Sequence, residues 1–476
     1  MAHHARVEPR HREPVRGVDR ETLPPLDAEP SWHALYEVTG EREQNFLYDH
    51  LGLDEDGESG LRLEPDCADL PYVLRAYFAW KLGLPFGYSE CSRGSSDEPP
   101  TCFDWHSPLD APAGAADELT AIRHLFQRLI DVVHSGNGRA EATSDHTDFY
   151  PTRLARDTLR PGTVYADPYG HMLLVVRRVA QTPTAAGLLL AVDAQPDATV
   201  ARKRYWRGNF LFAVDPTLGS AGFKHFRPIV IEDGTLRPLS NDEIAASPDY
   251  GDFALEQYQF GVDGFYDRVD AVLSPEPLAP EPALRLTIDA LDEQLRARLR
   301  SVDNGEEYVA AHPGVIAMPQ GAEIFETTGT WEDYATPSRD LRLLIALDLV
   351  RGFPAKVEAR PERFTMPEGR SAADVRTDLE AILGAESGAR HLVYTRSDGS
   401  QWTLTLGEVL ARAEALEVAY NPNDCVEVRW GAIPASAEAS TCTRRAPPEQ
   451  ASRMASYRPW FHERRRPPRG TPDVNP

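Results

Sequence analysis

The order of the hydrophobic patterns along the chain constrains the fold more than any other feature of the sequence. Residues 68–82 carry apolar side chains at helical spacing, with Pro71 near the start and Gly83 as a stop signal. The pattern then changes to short β-prone runs, at 163–165, 172–177, 187–192 and 210–214. Because these runs follow one another, we predict an α+β fold in which the first helix packs on an antiparallel sheet.

The chain is too long, at 476 residues, for one ordinary domain. The proline-rich stretch at 273–283 is typical of an extended linker. Helical spacing recurs after it, at 287–299, 341–349, 373–383 and 406–415, with little strand signal. We therefore predict a disordered tail (1–30), a first globular domain (31–272), the linker (273–283), a mainly helical accessory domain (284–446) and a basic, proline-rich tail (447–476).

The charge balance excludes some classes of partner. A formal net charge of −24 argues against non-specific nucleic-acid binding, which needs a basic surface to neutralise phosphates. The basic runs at 10–12 and 464–466 are interpreted as solvated, flexible tails. No apolar run approaches the roughly 18 residues that a membrane-spanning helix needs, so we expect no transmembrane segment.

The five cysteines fall into two local pairs and a single residue. Cys91 lies close to Cys102, and Cys425 lies close to Cys442, which leaves Cys67 alone. Two disulfides and one free thiol would fit an oxidising compartment, and five unrelated reduced thiols are the alternative. Although the N-terminus lacks an apolar signal-peptide core, we expect the cell envelope or the exterior rather than the cytoplasm.

Cys67 is the first residue whose position points to chemistry. It follows Asp66 and immediately precedes the predicted helix. A thiol at a helix N-terminus faces the positive end of the macrodipole and free backbone N–H groups. Both stabilise a thiolate, so we expect a lowered pKa, and the same N–H groups can hold an oxyanion. The alternative is a small buried apolar residue, which the polar neighbours Asp66 and Asp69 disfavour.

His171 and Asp193 lie at complementary ends of two predicted strands. His171 opens the 172–177 run after a turn signal at 167–170, where a histidine can reach a thiol and act as general base. Asp193 closes the next run, and antiparallel pairing of the two would bring it beside His171 to orient the ring. Gln195 is a weaker candidate for the orienting role. The alternatives are a turn-edge histidine and an ordinary strand-end aspartate.

Two groups of motifs resemble the NlpC/P60 family of cysteine peptidases. Asp66-Cys67-Ala68-Asp69-Leu70 leads into an aromatic-rich helix that ends in Leu82-Gly83-Leu84-Pro85, which is similar to the family's nucleophile motif. Leu159-Arg160-Pro161-Gly162, a short strand and then Gly170-His171 before an apolar strand resemble its second half. The resemblance covers about residues 60–215. It departs from the family at Ala68-Asp69, where Ser-Gly is usual, and at Thr163, where Asp is usual.

The resemblance implies a papain-like fold and a cysteine peptidase or amidase activity. Cys67 would be the nucleophile, His171 the base and Asp193 the third member of a Cys-His-Asp triad. The implied substrates are peptide or amide bonds in cell-wall peptidoglycan. Three other functions remain open, namely a thiol acyltransferase, a catalytically inactive protein that binds cell-wall or peptide ligands on the same fold, and a structural or assembly protein in which Cys67 is simply buried.

A basic, aromatic stretch at 201–208 follows the candidate site. Trp206 and Arg207 are candidate substrate-binding residues, because an arginine can hold a carboxylate and an indole can contact a sugar or a peptide. The alternative is a solvated turn with one buried ring. The histidines and cysteines lack zinc-site spacing, and no glycine-rich run has the context of a phosphate loop, so we expect no metal and no cofactor.

Overall fold

The structure, a computed structural model, describes residues 30–107, 117–182, 185–195, 197–326 and 329–472. The predicted disordered tail, apart from Pro30, and the basic run at 10–12 lie outside the described residues. Helices and antiparallel strands both contribute to the fold, which confirms the α+β class. None of the described helices combines the length and the hydropathy that are needed to cross a bilayer.

Residues 30–273 form a unit built around a sheet, which we call the sheet unit. Its strands are β1 (Ser31–Trp32), β2 (Tyr88–Cys91), β3 (Cys102–His106), β4 (Phe149–Pro151), β5 (Val164–Ala166), β6 (Met172–Val179), β7 (Leu188–Ala194), β8 (Val200–Tyr205), β9 (Gly222–Phe226), β10 (Ile229–Glu232) and β11 (Thr235–Pro238). Its helices are α1 (Leu35–Thr39), α2 (Asp69–Leu82), α3 (Glu118–Val132), α4 (Ser135–Arg139), α5 (Asn241–Ala246) and α6 (Gly261–Leu273).

Seven of these strands form one antiparallel sheet, in the order β1-β8-β7-β6-β5-β9-β4. Successive side chains of a strand point to opposite faces of the sheet. Met172 on β6 packs with α2 and α3 on one face, and Leu173 packs with α6 on the other. Burial of both faces explains why β6 and β7 read as nearly continuous apolar runs.

The elements near the candidate site follow the sequence closely. Pro71 is the third residue of α2, where its missing N–H would have no partner, and Gly83 ends the helix with a φ of +63°. The predicted strands at 163–165, 172–177 and 187–192 correspond to β5, β6 and β7. The predicted strand at 210–214 is wrong. Phe210 and Phe212 fill the core below the sheet from an irregular segment, and the sheet continues through β8 instead.

Residues 280–462 form a second unit, which we call the helical unit. Its helices are α7 (Pro280–Ala311), α8 (Thr330–Tyr334), α9 (Pro337–Ala359), α10 (Ala372–Ala389), α11 (Leu406–Ala411), α12 (Ala413–Leu416), α13 (Val426–Arg429) and α14 (Pro448–His462), and its strands are β12 (His391–Thr395) and β13 (Gln401–Thr405). The unit is mainly helical, with one antiparallel hairpin.

Two predicted segment boundaries shift. The chain between the units is extended only over 274–279, because Pro280 starts α7 inside the predicted linker, at a position that suits proline. The predicted tail begins with α14, which buries Met454, Tyr457 and Phe461 in the core of the helical unit. The interpretation of 464–466 as a solvated tail is also wrong, because Arg466 is only 8% exposed.

Four of the five cysteines form disulfides, one between Cys91 and Cys102 and one between Cys425 and Cys442. Cys67 is the free cysteine. Of the two alternatives left open by the sequence, the structure has the one with two local disulfides and a single thiol.

Candidate active site

Cys67 lies just before α2, beside Asp66, whose carboxylate binds N–H groups at the start of this helix. The Asp66 carboxylate accepts hydrogen bonds from the N–H groups of Ala68 (2.8 Å) and Asp69 (3.1 Å). The Cys67 sulfur lies 3.8 Å from the carbonyl oxygen of Gly170, to which the S–H donates across 103 positions of the chain. The fold therefore brings the thiol against the residue that precedes His171.

The turn at 167–170 delivers His171 to the start of β6. The N–H of Asp167 donates to the His171 carbonyl (2.8 Å), and the Asp167 carboxylate accepts from the N–H of Tyr169 (2.9 Å). Gly170 has a φ of +103°, a conformation that residues with a side chain rarely adopt. An added Cβ there would also lie 3.0 Å from the Ser135 hydroxyl. The position of the carbonyl that accepts from the thiol thus depends on a glycine at position 170, within a turn held by hydrogen bonds.

His171 and Asp193 form a hydrogen bond across β6 and β7. The Nε2–Oδ2 distance is 2.6 Å, and the Asp193 side chain is fully buried. The ring of Phe210 lies parallel to the imidazole, with 6.1 Å between centroids. None of the described residues forms a hydrogen bond with Nδ1, the other ring nitrogen. Because the carboxylate accepts from Nε2–H, Nδ1 is the nitrogen left to act as a base.

Lys203 on β8 binds the same carboxylate, a role that was not predicted from the sequence. Its Nζ lies 2.5 Å from Asp193 Oδ2, and Gln195 donates to this oxygen as well (3.1 Å). Burial opposes ionisation of Asp193, but the charge of Lys203 and the hydrogen bond from His171 outweigh it and lower the pKa of Asp193 to about 2. The basic stretch at 201–208 contains this lysine, yet only the pairing of β7 with β8 shows where its side chain reaches.

Removing the charge of Lys203 is expected to destabilise the protein at neutral pH and much less in acid. Asp193 ionises with a pKa of about 2 in the folded chain and about 4 in an unfolded one. Its charge therefore contributes stability above about pH 4 that is lost as the pH falls through about 2. In Lys203→Met the pKa of Asp193 rises, and the free energy of unfolding at pH 7 should fall by roughly 1–2 kcal/mol.

Urea unfolding at pH 7 and near pH 2 measures this difference. Lys203→Arg keeps the charge and should resemble the parent chain at both pH values. A loss of stability in Lys203→Met that is the same at both pH values would contradict the link to Asp193 ionisation.

The expected lowering of the Cys67 pKa is wrong. Burial raises the pKa of the thiol, and the negative charges of Asp66 and Asp193 raise it further. Asp66 also occupies the N–H groups of Ala68 and Asp69, which were expected to stabilise a thiolate. The neighbouring carboxyl of Asp69 has a pKa raised to about 8, by burial and by the charge of Asp66. Cys67 therefore rests as a protonated thiol at neutral pH.

Replacing Asp66 by asparagine is expected to accelerate alkylation of Cys67 by iodoacetamide at pH 8, by roughly tenfold. Asparagine caps a helix about as well as aspartate, so the change removes the charge and keeps the helix. The thiol pKa then falls and the thiolate fraction rises. The other cysteines form disulfides, so the label reports Cys67 alone. Glu64→Gln, which removes an exposed carboxylate nearby in sequence, is the control, and an unchanged rate in Asp66→Asn would refute the electrostatic explanation.

The helical unit brings charge to the site through α9. Arg342 donates to the Asp167 carboxylate (3.2 Å) in the turn before the candidate base. Arg339 lies one turn earlier on the same helix. Burial and the charge of Arg342 lower the pKa of Arg339, whereas the charge of Asp193 raises it. Arg339 and Asp193 are therefore close enough to interact electrostatically. The surroundings of the site therefore include both units.

The two candidate substrate-binding residues have structural partners. Trp206 packs against the core of the helical unit. Arg207 forms an ion pair with Asp263 on α6 (2.7 Å) and lies over the ring of Tyr266, 4.9 Å from its centroid. Trp206 thus contributes to the contact between the units and Arg207 to the anchoring of α6, and a role of either residue toward substrate stays a prediction. The sequence could not distinguish these roles, because both partners come from later elements of the chain.

The described residues contain one group with metal-ligand spacing, formed by Cys425, Glu427 and Cys442. Its two cysteines are joined in a disulfide and so offer no thiolate to a metal. Comparisons of the chain with protein-family models, with curated proteins and with solved structures find no match.

Proposed function

We propose that the chain is a cysteine amide hydrolase of the papain-like, NlpC/P60 type that cleaves peptide or amide bonds in cell-wall peptidoglycan. The observation that carries the proposal is the contact between the Cys67 sulfur and the Gly170 carbonyl, next to a His171 that is hydrogen-bonded to the buried Asp193. A thiol, an imidazole and a carboxylate in this order suit a nucleophile, its base and an orienting acid. A cysteine-bearing helix start against an antiparallel sheet is also consistent with the type. The substrate class rests on the resemblance of the sequence motifs.

The proposed reaction has two halves. The Cys67 sulfur bonds to the carbonyl carbon of the amide while His171 Nδ1 takes the thiol proton, which then passes to the leaving amine as the C–N bond breaks. Water next attacks the resulting thioester and gives a proton to His171, which returns it to the departing sulfur. Asp193 accepts the Nε2–H bond throughout and stabilises the imidazolium.

The resting thiol must turn before it can react. Its S–H donates to the Gly170 carbonyl, and burial together with the charges of Asp66 and Asp193 raises its pKa. We therefore expect proton transfer to His171 to accompany attack on the substrate rather than precede it. Catalytic hydrogen bonds commonly tighten only when substrate is bound. The N–H of Cys67 itself, which Asp66 does not occupy, is the donor expected to hold the oxyanion.

The same resting geometry favours a second candidate function. A protonated thiol whose hydrogen bond goes to a carbonyl is a weak nucleophile. A catalytically inactive protein that binds cell-wall or peptide ligands would tolerate this arrangement without cost. Such a protein would retain peptidoglycan without cleaving it.

Digestion of purified peptidoglycan by the parent chain and by Cys67→Ala, with the products identified by mass spectrometry, tests the proposed function. We expect fragments with a new carboxylate and a new amine from the parent and none from the variant. The two disulfides fit the oxidising compartment in which this substrate lies. Equal product from both chains would remove Cys67 from the mechanism, and binding to insoluble peptidoglycan without any product would favour the inactive binder.

A further inference from the structure

Residues 463–472, which we call the strap, follow α14 and join the two units. Arg466 in the strap is buried between two aromatic rings, with its guanidinium 4.6 Å from the ring centroid of Tyr169 and 4.9 Å from that of Phe325. Its Nη2 donates to the hydroxyl of Ser338 at the start of α9 (2.8 Å). Tyr169 belongs to the turn at 167–170 and Phe325 to the helical unit. Arg466 thus links that turn to the helical unit.

The strap has further anchors after Arg466, toward its C-terminal end. Arg469 donates to the carbonyl of Arg93 in the β2–β3 loop (2.6 Å) and to Glu326 of the helical unit (3.2 Å). The carbonyl of Thr471 accepts from the N–H of Ala322 (3.1 Å). Bonds to both units along its length make the strap a fixed support rather than a solvated tail.

We propose that Arg466 is a positioning residue for the candidate active site, because it holds the Tyr169 ring and so fixes the turn that leads into His171. Tyr169 is bonded directly to Gly170, whose carbonyl accepts from the Cys67 thiol. Movement of the ring therefore moves the thiol's acceptor and the start of β6 together. A planar, delocalised cation is suited to a site between two rings, through dispersion and cation–π attraction. The catalytic consequence rests on the proposed function, whereas the coupling to the thiol follows from these contacts alone.

The test combines alkylation of Cys67 with steady-state kinetics in the full chain. In Arg466→Gln we expect faster reaction with iodoacetamide at pH 8, because the thiol loses its fixed acceptor. We also expect kcat to fall by about tenfold while KM stays close to that of the parent chain. Tyr169→Leu should have the same effects on alkylation and kcat, and the double variant should add nothing further, since both changes break the Arg466–Tyr169 contact, which is the one that reaches the turn. Tyr169→Phe keeps the ring and Arg466→Lys keeps a cation, so both should lie between the parent and Arg466→Gln.

Two controls separate positioning from a general loss of stability. Arg465→Gln changes an exposed arginine of the strap that pairs with Glu463, and should match the parent. Val350→Ala, at a fully buried position in the helical unit, should lower the free energy of unfolding without changing the alkylation rate under native conditions. Parent-like alkylation and kcat in Arg466→Gln, or full additivity with Tyr169→Leu, would overturn the proposal. If the parent hydrolyses no substrate but alkylation responds as expected, the positioning role stands and the proposed function fails.

Discussion

Replacing Cys67 by alanine is expected to abolish amide hydrolysis, with kcat/KM falling by at least about 10⁴. No other free thiol is available to take over, because the remaining cysteines form disulfides. The variant should stay folded, since the only hydrogen that the Cys67 thiol can donate goes to the Gly170 carbonyl over a long sulfur contact of 3.8 Å, and the residue is of intermediate exposure. Release of product from a peptidoglycan peptide, measured beside urea unfolding of both chains, gives the comparison.

Ser135→Ala is the matched control for this experiment. It removes one polar atom from a small side chain close to Gly170, next to the same turn, and should leave kcat/KM within a factor of about two. Hydrolysis that persists in Cys67→Ala, or that falls equally in Ser135→Ala, would show that the thiol is not the nucleophile.

Local patterns were enough to predict the elements that carry the site. The spacing of apolar residues, Pro71 and Gly83 defined α2 to within a residue or two, and the apolar runs defined β6 and β7. The segment at 210–214 has the composition of a strand, but its aromatic rings fill the core beneath the sheet and the N–H of Leu211 donates to the Asp167 carboxylate. Whether an apolar segment pairs as a strand or packs beneath the sheet depends on residues far away in the chain, and the local hydrophobic periodicity carries no information about them.

The residues of the candidate site could be predicted from the sequence, but the electrostatic environment of the thiol could not. His171 and Asp193 meet because antiparallel pairing puts the end of β7 beside the start of β6. Cys67 reaches the neighbouring Gly170 from the segment that precedes α2. The thiol pKa was assigned the wrong direction, because reasoning from the helix alone ignored Asp66, which takes the free N–H groups, and Asp193, which lies on another strand. The roles of Lys203 and of the strap were not predicted either, because each depends on a contact with another segment of the chain. Lys203 binds Asp193, 10 positions earlier, and Arg466 of the strap contacts Tyr169, about 300 positions earlier.

Replacing Asp193 by asparagine is expected to lower kcat by about 10²–10⁴, because the change impairs neutral His171 as a base and also destabilises the imidazolium that forms. An amide can present its N–H to His171 Nε2, which moves the ring proton to Nδ1 and removes the lone pair that takes the thiol proton. The neutral amide also gives no charge to stabilise the imidazolium. Lys203 then keeps its positive charge close to the ring without the carboxylate that neutralised it, which disfavours the imidazolium further.

The chain offers a second histidine–aspartate pair as the control for this prediction. His225 Nδ1 lies 2.9 Å from Asp252 Oδ2, with both side chains buried, and the remaining ring nitrogen bonds to the Thr158 carbonyl (2.9 Å). Asp252→Asn should therefore lower the free energy of unfolding, by roughly 1–3 kcal/mol, and leave kcat close to that of the parent. Adding Lys203→Met to Asp193→Asn should restore part of the lost stability, because it removes the uncompensated cation. If Asp193→Asn and Asp252→Asn lower kcat equally, the loss reflects general destabilisation, and Asp193 has no orienting role.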